Sequence, residues 1–137
     1  MKANELMIGD WVRMHYPFDM ELDMRLERIN VLAKSVDIDC EPIPLTAEIL
    51  EKNGLRKVTL GGEHNSKQDY YIDTHFVGYY NMDALTRVHA SPIVYDIKQK
   101  WLFVDNKETC RIELMCPYVH TLQHALRLCE IDKTIEL

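Results

Sequence analysis

The segment His120-Thr121-Leu122-Gln123-His124 places two imidazoles four residues apart at the head of an apolar, helix-like run. On a helix that spacing puts both rings on one face, the arrangement with which many zinc hydrolases hold their metal. Those enzymes also need a glutamate directly after the first histidine, to activate the metal-bound water. Thr121 stands in that place, and its hydroxyl is no base at neutral pH. Cys116, one turn before His120, offers a third ligand. Along a regular helix, however, Cys116 and His124 lie about 12 Å apart, while zinc bonds are only about 2 Å long, so one ion cannot take all three.

The helical wheel weighs further against a metal. At about 100° per residue, Tyr118, Val119, Leu122, Ala125, Leu126 and Cys129 form one apolar stripe facing a core. His120 and His124 then fall on the opposite side, beside Arg127. The expectation is a solvated helix face with no resident metal or cofactor, on which His120 and His124 would take only adventitious ions. Cys116-Pro117 at the helix start suggests another chemistry. A thiol there has its pKa lowered by the helix N-terminus, and His120 one turn on would complete a Cys–His pair. The competing and favoured reading is a cysteine packed against the core.

The aromatic residues offer contact rather than catalysis. Tyr70-Tyr71 and Tyr79-Tyr80, with Phe76 and Trp101, lie in stretches that read as strands. Alternation sends one of each neighbouring pair inward and the other outward. Outward aromatic rings stack on single-stranded nucleic acid when a basic groove accompanies them. This chain has 16 basic and 22 acidic residues, a net charge of −6, which opposes attraction to a polyanion or an anionic membrane. Its basic clusters are thin: Arg25 with Arg28, and Lys98 with Lys100. Another protein is therefore the expected partner, nucleic acid a less favoured one, and a membrane none; the spacing gives no oligomeric state.

Other chemical signatures are missing. The sequence has no GxxxxGK[ST] loop, GxGxxG turn, GxSxG elbow or DxDxDG calcium loop. Gly61-Gly62 reads as a turn, and the alternating Asp19, Glu21 and Asp23 as a solvated edge strand rather than a cation site.

The elements that would position these residues can be read from pattern. "NELMIGDWVRM" gives a turn at Gly9-Asp10 and a strand through Trp11-Val12, a start common in small SH3-like barrels. Alternation at Ile29, Val31 and Ala33, and at Val36, Ile38 and Cys40, adds two half-buried strands. "EPIPLTAEILEKNGL" is a well-punctuated short helix. Pro42 and Pro44 keep its approach extended, Thr46 caps it, Leu45 and Leu50 form a staple, and Gly54 ends it. This helix is placed as a hinge between two β portions. Beyond it come a strand, the glycine turn, a polar loop and an aromatic strand. "IVYDI-KQ-KWLFVD-NK-ETCRIELM" then gives three strands joined by tight turns, followed by a helix opening at Cys116-Pro117 and a possible last strand at "KTIEL".

The fold expected is α+β. Residues 1–42 form a small SH3-like β unit, and residues 43–137 an antiparallel meander covered by the C-terminal amphipathic helix, the two sharing one compact domain or standing as two units. An apolar fraction of 47% suffices for such a core. No apolar leader or span is visible, and the four cysteines form no CxxC pair, which reads as reduced thiols in the cytoplasm.

Three stretches, "MKANELMIGDWV", "EPIPLTAEILEKNGL" and "YVHTLQHALRLCEIDKTIEL", cover roughly a third of the chain. In this order they resemble a family of short uncharacterised proteins of Bacteroides-type gut anaerobes, often found near prophage or other mobile elements. The resemblance implies no established activity and carries over no functional residue; members of that family have Asn where this chain has His124. The leading expectation is a non-enzymatic cytoplasmic accessory protein that binds another protein. A nucleic-acid-associated module using the SH3-like start comes second. A metal- or thiol-dependent hydrolase built on Cys116, His120 and His124 comes third.

Overall fold

The computed structural model describes residues 7, 9–16, 20–25, 40–62, 65–73 and 83–137. Their architecture is mixed α+β, with two antiparallel sheets and three helices. The first sheet has β1 (Trp11–Tyr16) at its centre, between β2 (Met20–Arg25) and β3 (Cys40–Pro42). Asp23 on the acidic β2 pairs across the ladder with Arg13, its Oδ1 2.8 Å from Nε. Acidic side chains suit this strand, which borders the three-stranded sheet. Among the described residues these strands close no barrel. The strands expected over 29–33 and 36–40 lie outside the described residues, apart from Cys40 at the start of β3.

The punctuated helix is α1 (Ala47–Lys52), and its signals act as the spacing predicts. Thr46 Oγ1 accepts a hydrogen bond from Ile49 N at 3.3 Å. Leu45 and Leu50 are both buried. Gly54, at φ 86°, turns the chain so that Leu55 joins them in the core. In the chain, α1 stands between the two sheets.

The second sheet is a five-stranded meander in sequential order: β4 (Leu55–Gly62), β5 (Asn65–Asp73), β6 (Ile93–Asp96), β7 (Trp101–Asn106) and β8 (Cys110–Met115). Gly61-Gly62 is not a free turn but the bulged end of β4, where the register with β5 shifts. The second helix, α2 (Ala84–Ala90), is one the sequence pattern does not announce. It is short and buries no residue completely, so it shows no strong apolar period. Its one local signal is the cap, Asp83 Oδ1 accepting from Thr86 N at 2.8 Å.

The third helix, α3 (Val119–Leu128), covers the inner face of this sheet. Val119, Leu122, Ala125 and Leu126 pack there with Leu50, Leu55, Tyr71, Ile93, Tyr95, Leu102 and Val104. It starts later than Cys116-Pro117, because the chain before it is tied up in extended form. Leu45 N donates to Pro117 O, Val119 N donates to Ile43 O, and Pro44 bridges Tyr118. "KTIEL" forms no strand. Side chains take its backbone groups instead: Trp11 Nε1 donates to Ile135 O at 2.7 Å, and Asn53 both donates to Glu136 O and accepts from Glu136 N.

Candidate functional site

The polar face of α3 is only in part the solvated surface that the wheel predicts: Arg127 is exposed and His124 partly so, but the rest is covered. His120 is 8% exposed and Gln123 6% exposed. The wheel sees only one helix, and the covering piece comes from more than 100 residues earlier in the chain. The turn at Gly9-Asp10, with Gly9 at φ 93°, docks against this face. Gln123 clamps it from both sides, its Oε1 accepting from Trp11 N at 2.9 Å and its Nε2 donating to Gly9 O at 2.9 Å.

Asp10 is wholly buried at the centre of this junction. Its Oδ2 accepts from Met7 N at 2.7 Å and lies 2.6 Å from His124 Nε2. Its Oδ1 accepts from Arg127 Nη1 at 3.2 Å. A buried carboxylate is costly unless hydrogen-bonded and paired, and here three donors from two elements surround it. The ring of His120 stacks on Tyr118 at 5.8 Å between centroids and meets His124 edge-on at 5.5 Å. The histidine pair is thus part of a socket for the N-terminal turn, and His124 Nε2 is engaged with Asp10 rather than turned to a shared metal.

Two further findings bear on the hydrolase reading. Among the described residues, no group of three or more His, Cys, Asp or Glu is placed to hold a metal ion. Cys116 lies before the helix, not in its first turn, and its side chain is fully buried, with Sγ 3.7 Å from Tyr118 O. Burial pushes its thiol up to about 12, the opposite of an activated nucleophile. Cys116 is packed in the core, as the favoured reading of the sequence has it, and the alternative of a thiol activated by the helix start finds no support.

Sequence reasoning singles out the histidines but passes over Asp10 and Gln123, the residues that organise this face. The turn at Gly9-Asp10 is legible, but nothing local reveals what it docks against.

A second site lies on the outer face of the meander, the side away from α3. Alternation divides the tyrosines as predicted: Tyr71 points inward at 4% exposure, and Tyr70 sits on the outer face. Burial, and then the Asp96 carboxylate, raise the Tyr70 phenol above its ordinary pKa. Tyr79, Tyr80 and Phe76 lie outside the described residues. Across the strands, Tyr70, Asp96, Trp101 and Met115 form one row in register. Ile72, Val94, Phe103 and Glu113 form the next. Val88 of α2 covers the Ile72–Val94 end of the second row. The remainder forms a cleft of about 820 Å³ lined by Leu60, Tyr70, Leu85, Val88, Val94, Phe103 and Ile112, with His89, Asp105, Arg111 and Glu113 among its polar groups. A hollow of about 430 Å³ beside it is lined by Trp101, Asp96, Gln68 and Gln99, together with Tyr70 and Phe103. Leu85 and Met115 are more than half exposed, and Phe103 is 38% exposed. No helix among the described residues is long and apolar enough to cross a membrane.

Comparison with protein families, with curated proteins and with solved structures finds no significant match to this chain.

Proposed function

We propose that this protein is a non-enzymatic accessory module of the cytoplasm that binds a protein partner through the outer face of its five-stranded sheet. The observation that carries the reading is the cleft between α2 and the outer strands, with Leu85 and Phe103 exposed on its walls. Aromatic and apolar residues grouped at the centre of a surface are the usual anchors of a protein interface. Asp105 and Glu113 outnumber Arg111 in the cleft and Asp96 lies beside it, which with a net charge of −6 favours a partner segment with an apolar anchor flanked by basic residues. A role in a prophage or other mobile element rests on the resemblance of the three quoted segments alone.

Tyr70, Trp101 and Phe103 also form a stacking surface of the kind single-stranded nucleic acid uses. The carboxylate of Asp96 among them disfavours that occupant. An SH3-like role for the first sheet, which the nucleic-acid reading would use, draws support only from the turn at Gly9-Asp10 and the strands β1 to β3.

Affinity capture of tagged protein from its native cells, with and without nuclease, tests the proposal. The expected result is a protein partner that survives nuclease and is lost with the double variant Leu85→Asp, Phe103→Asp. Recovery that collapses with nuclease would promote the nucleic-acid reading. A partner that the double variant retains would place binding elsewhere on the molecule.

A further inference from the structure

The four cysteines show no motif in sequence, but folding brings two of them together. Cys110 opens β8 and Cys129 closes α3, and their sulfurs lie 2.8 Å apart as free thiols. We propose that Cys110 and Cys129 are a peroxide-sensitive pair that closes into a reversible disulfide.

The sulfurs do not meet by themselves; the surrounding structure holds them. The turn between β7 and β8 clasps the end of α3, where Cys129 O accepts from Asn106 Nδ2 at 2.7 Å and from Thr109 Oγ1 at 2.8 Å. Cys110 Sγ also lies 3.6 Å from Leu128 O. The Asn106 and Thr109 bonds fix the strand start against the helix end independently of the thiols. Closing the disulfide therefore requires little movement of either backbone, the usual obstacle to such a bond.

The two thiols differ in access, which assigns their roles. Cys110 is partly exposed and Cys129 is fully buried. A peroxide from solvent reaches Cys110. Its thiolate attacks one peroxide oxygen, an S–O bond forms as the O–O bond breaks, and the departing hydroxide takes a proton to leave as water. Cys129 then attacks the Cys110 sulfenic sulfur; the S–S bond forms, the S–O bond breaks, and the Cys129 proton leaves with the hydroxyl as a second water. In sum, two thiols lose two electrons and two protons, and one hydrogen peroxide becomes two waters. Burial, and then the neighbouring Cys110, raise the Cys129 thiol above its ordinary value, which opposes it as the first nucleophile; its part in the second step rests on its sulfur lying 2.8 Å from Cys110 Sγ. Cys116, buried against the Tyr118 carbonyl, lacks the access of Cys110. A reductant of the dithiol class reverses the bond by exchange.

The test treats the full chain with hydrogen peroxide, alkylates it in denaturant and reads intact mass and peptide maps. The expected product has lost two hydrogens and keeps two of its four thiols alkylatable. One cross-linked peptide pair contains Cys110 and Cys129, and dithiothreitol restores all four thiols. Cys110→Ser forms no cross-link. Cys129→Ser leaves Cys110 as a sulfenic acid that dimedone captures. Because Cys110 is partly exposed, its serine variant keeps the test decisive even if the buried Cys129 variant folds poorly. Four alkylatable thiols after oxidation, or a cross-link between any other pair, would overturn the proposal.

Discussion

At the scale of single residues, Asp10 joins parts of the chain more than 110 residues apart. It is an unremarked acid in a turn, yet it receives donors from Met7, His124 and Arg127. Asp10→Ala would leave the His124 ring, the Arg127 guanidinium and a backbone N–H without this partner. The side chains of His124 and Arg127 are 30% and 36% exposed, so both partly rehydrate and the loss stays below that of a fully enclosed pair. A destabilisation of about 2–3 kcal/mol is expected, measured as a lower urea midpoint with unchanged m-value. Asp10→Asn, which keeps an acceptor oxygen but not the charge, is expected to fall between the two. An alanine variant as stable as the native protein would show that the turn is not held by this carboxylate.

At the scale of elements, the β4–β5 hairpin depends on one glycine. Gly61 has φ +95°, and a Cβ there would meet Ser66 O at 2.6 Å. Both the backbone angle and the contact with a main-chain oxygen oppose any side chain, so the bulge cannot relax by turning a rotamer. Gly61→Ala is expected to cost more than about 1 kcal/mol and to speed amide exchange at the β4–β5 end while leaving α3 protected. Uniform loss of protection would instead make the hairpin part of the global unfolding unit. The same scale explains what pattern reading recovers. Thr46, Leu50 and Gly54 act on α1 through neighbours only a few residues away, so their roles are legible. The strands β6 to β8 tell a similar story in outline: tight turns force neighbouring strands to pair. Pattern alone starts α3 too early, because residues 43–45, far away in sequence, hold 117–119 extended.

At the scale of the whole molecule, buried acidic hydrogens make stability depend on alkaline pH. Burial raises Cys116 to about 12, and it raises Tyr95 as well, with Cys116 and Asp96 adding to the Tyr95 shift. Each group ionises more easily in the unfolded chain than in the fold. Their contribution to stability is therefore complete below the ordinary thiol range and declines as pH rises from there towards the folded value. For Cys116 the decline is up to about 1.4 kcal/mol per pH unit, between its ordinary value of 9.0 and about 12. Urea midpoints measured from pH 7 to 11 in reductant should hold level to about pH 9 and then fall, less steeply in Cys116→Ala. Equal slopes in the two proteins would deny that Cys116 ionisation is linked to unfolding. The first sheet joins the rest at this scale too, since Trp11 bonds α3 through its backbone and the C-terminal tail through its indole.

The sequence by itself determined the class of fold, the capped helix α1, the strand meander and the apolar stripe of α3, because each depends on periodicity or on contacts within a few residues. It also separated Tyr71 from Tyr70, since strand alternation needs no knowledge of the partner. Only the tertiary structure decided what the polar side of α3 faces: the docking of Gly9, Asp10 and Trp11 on Gln123 and His124 turns part of an expected wet surface into a junction. It alone brought Cys110 to Cys129 and, among the described residues, formed the Leu85–Phe103 cleft. The reason is physical. A helical wheel or a strand alternation fixes the direction of a side chain, whereas the occupant of that direction comes from chain that folds back from far away.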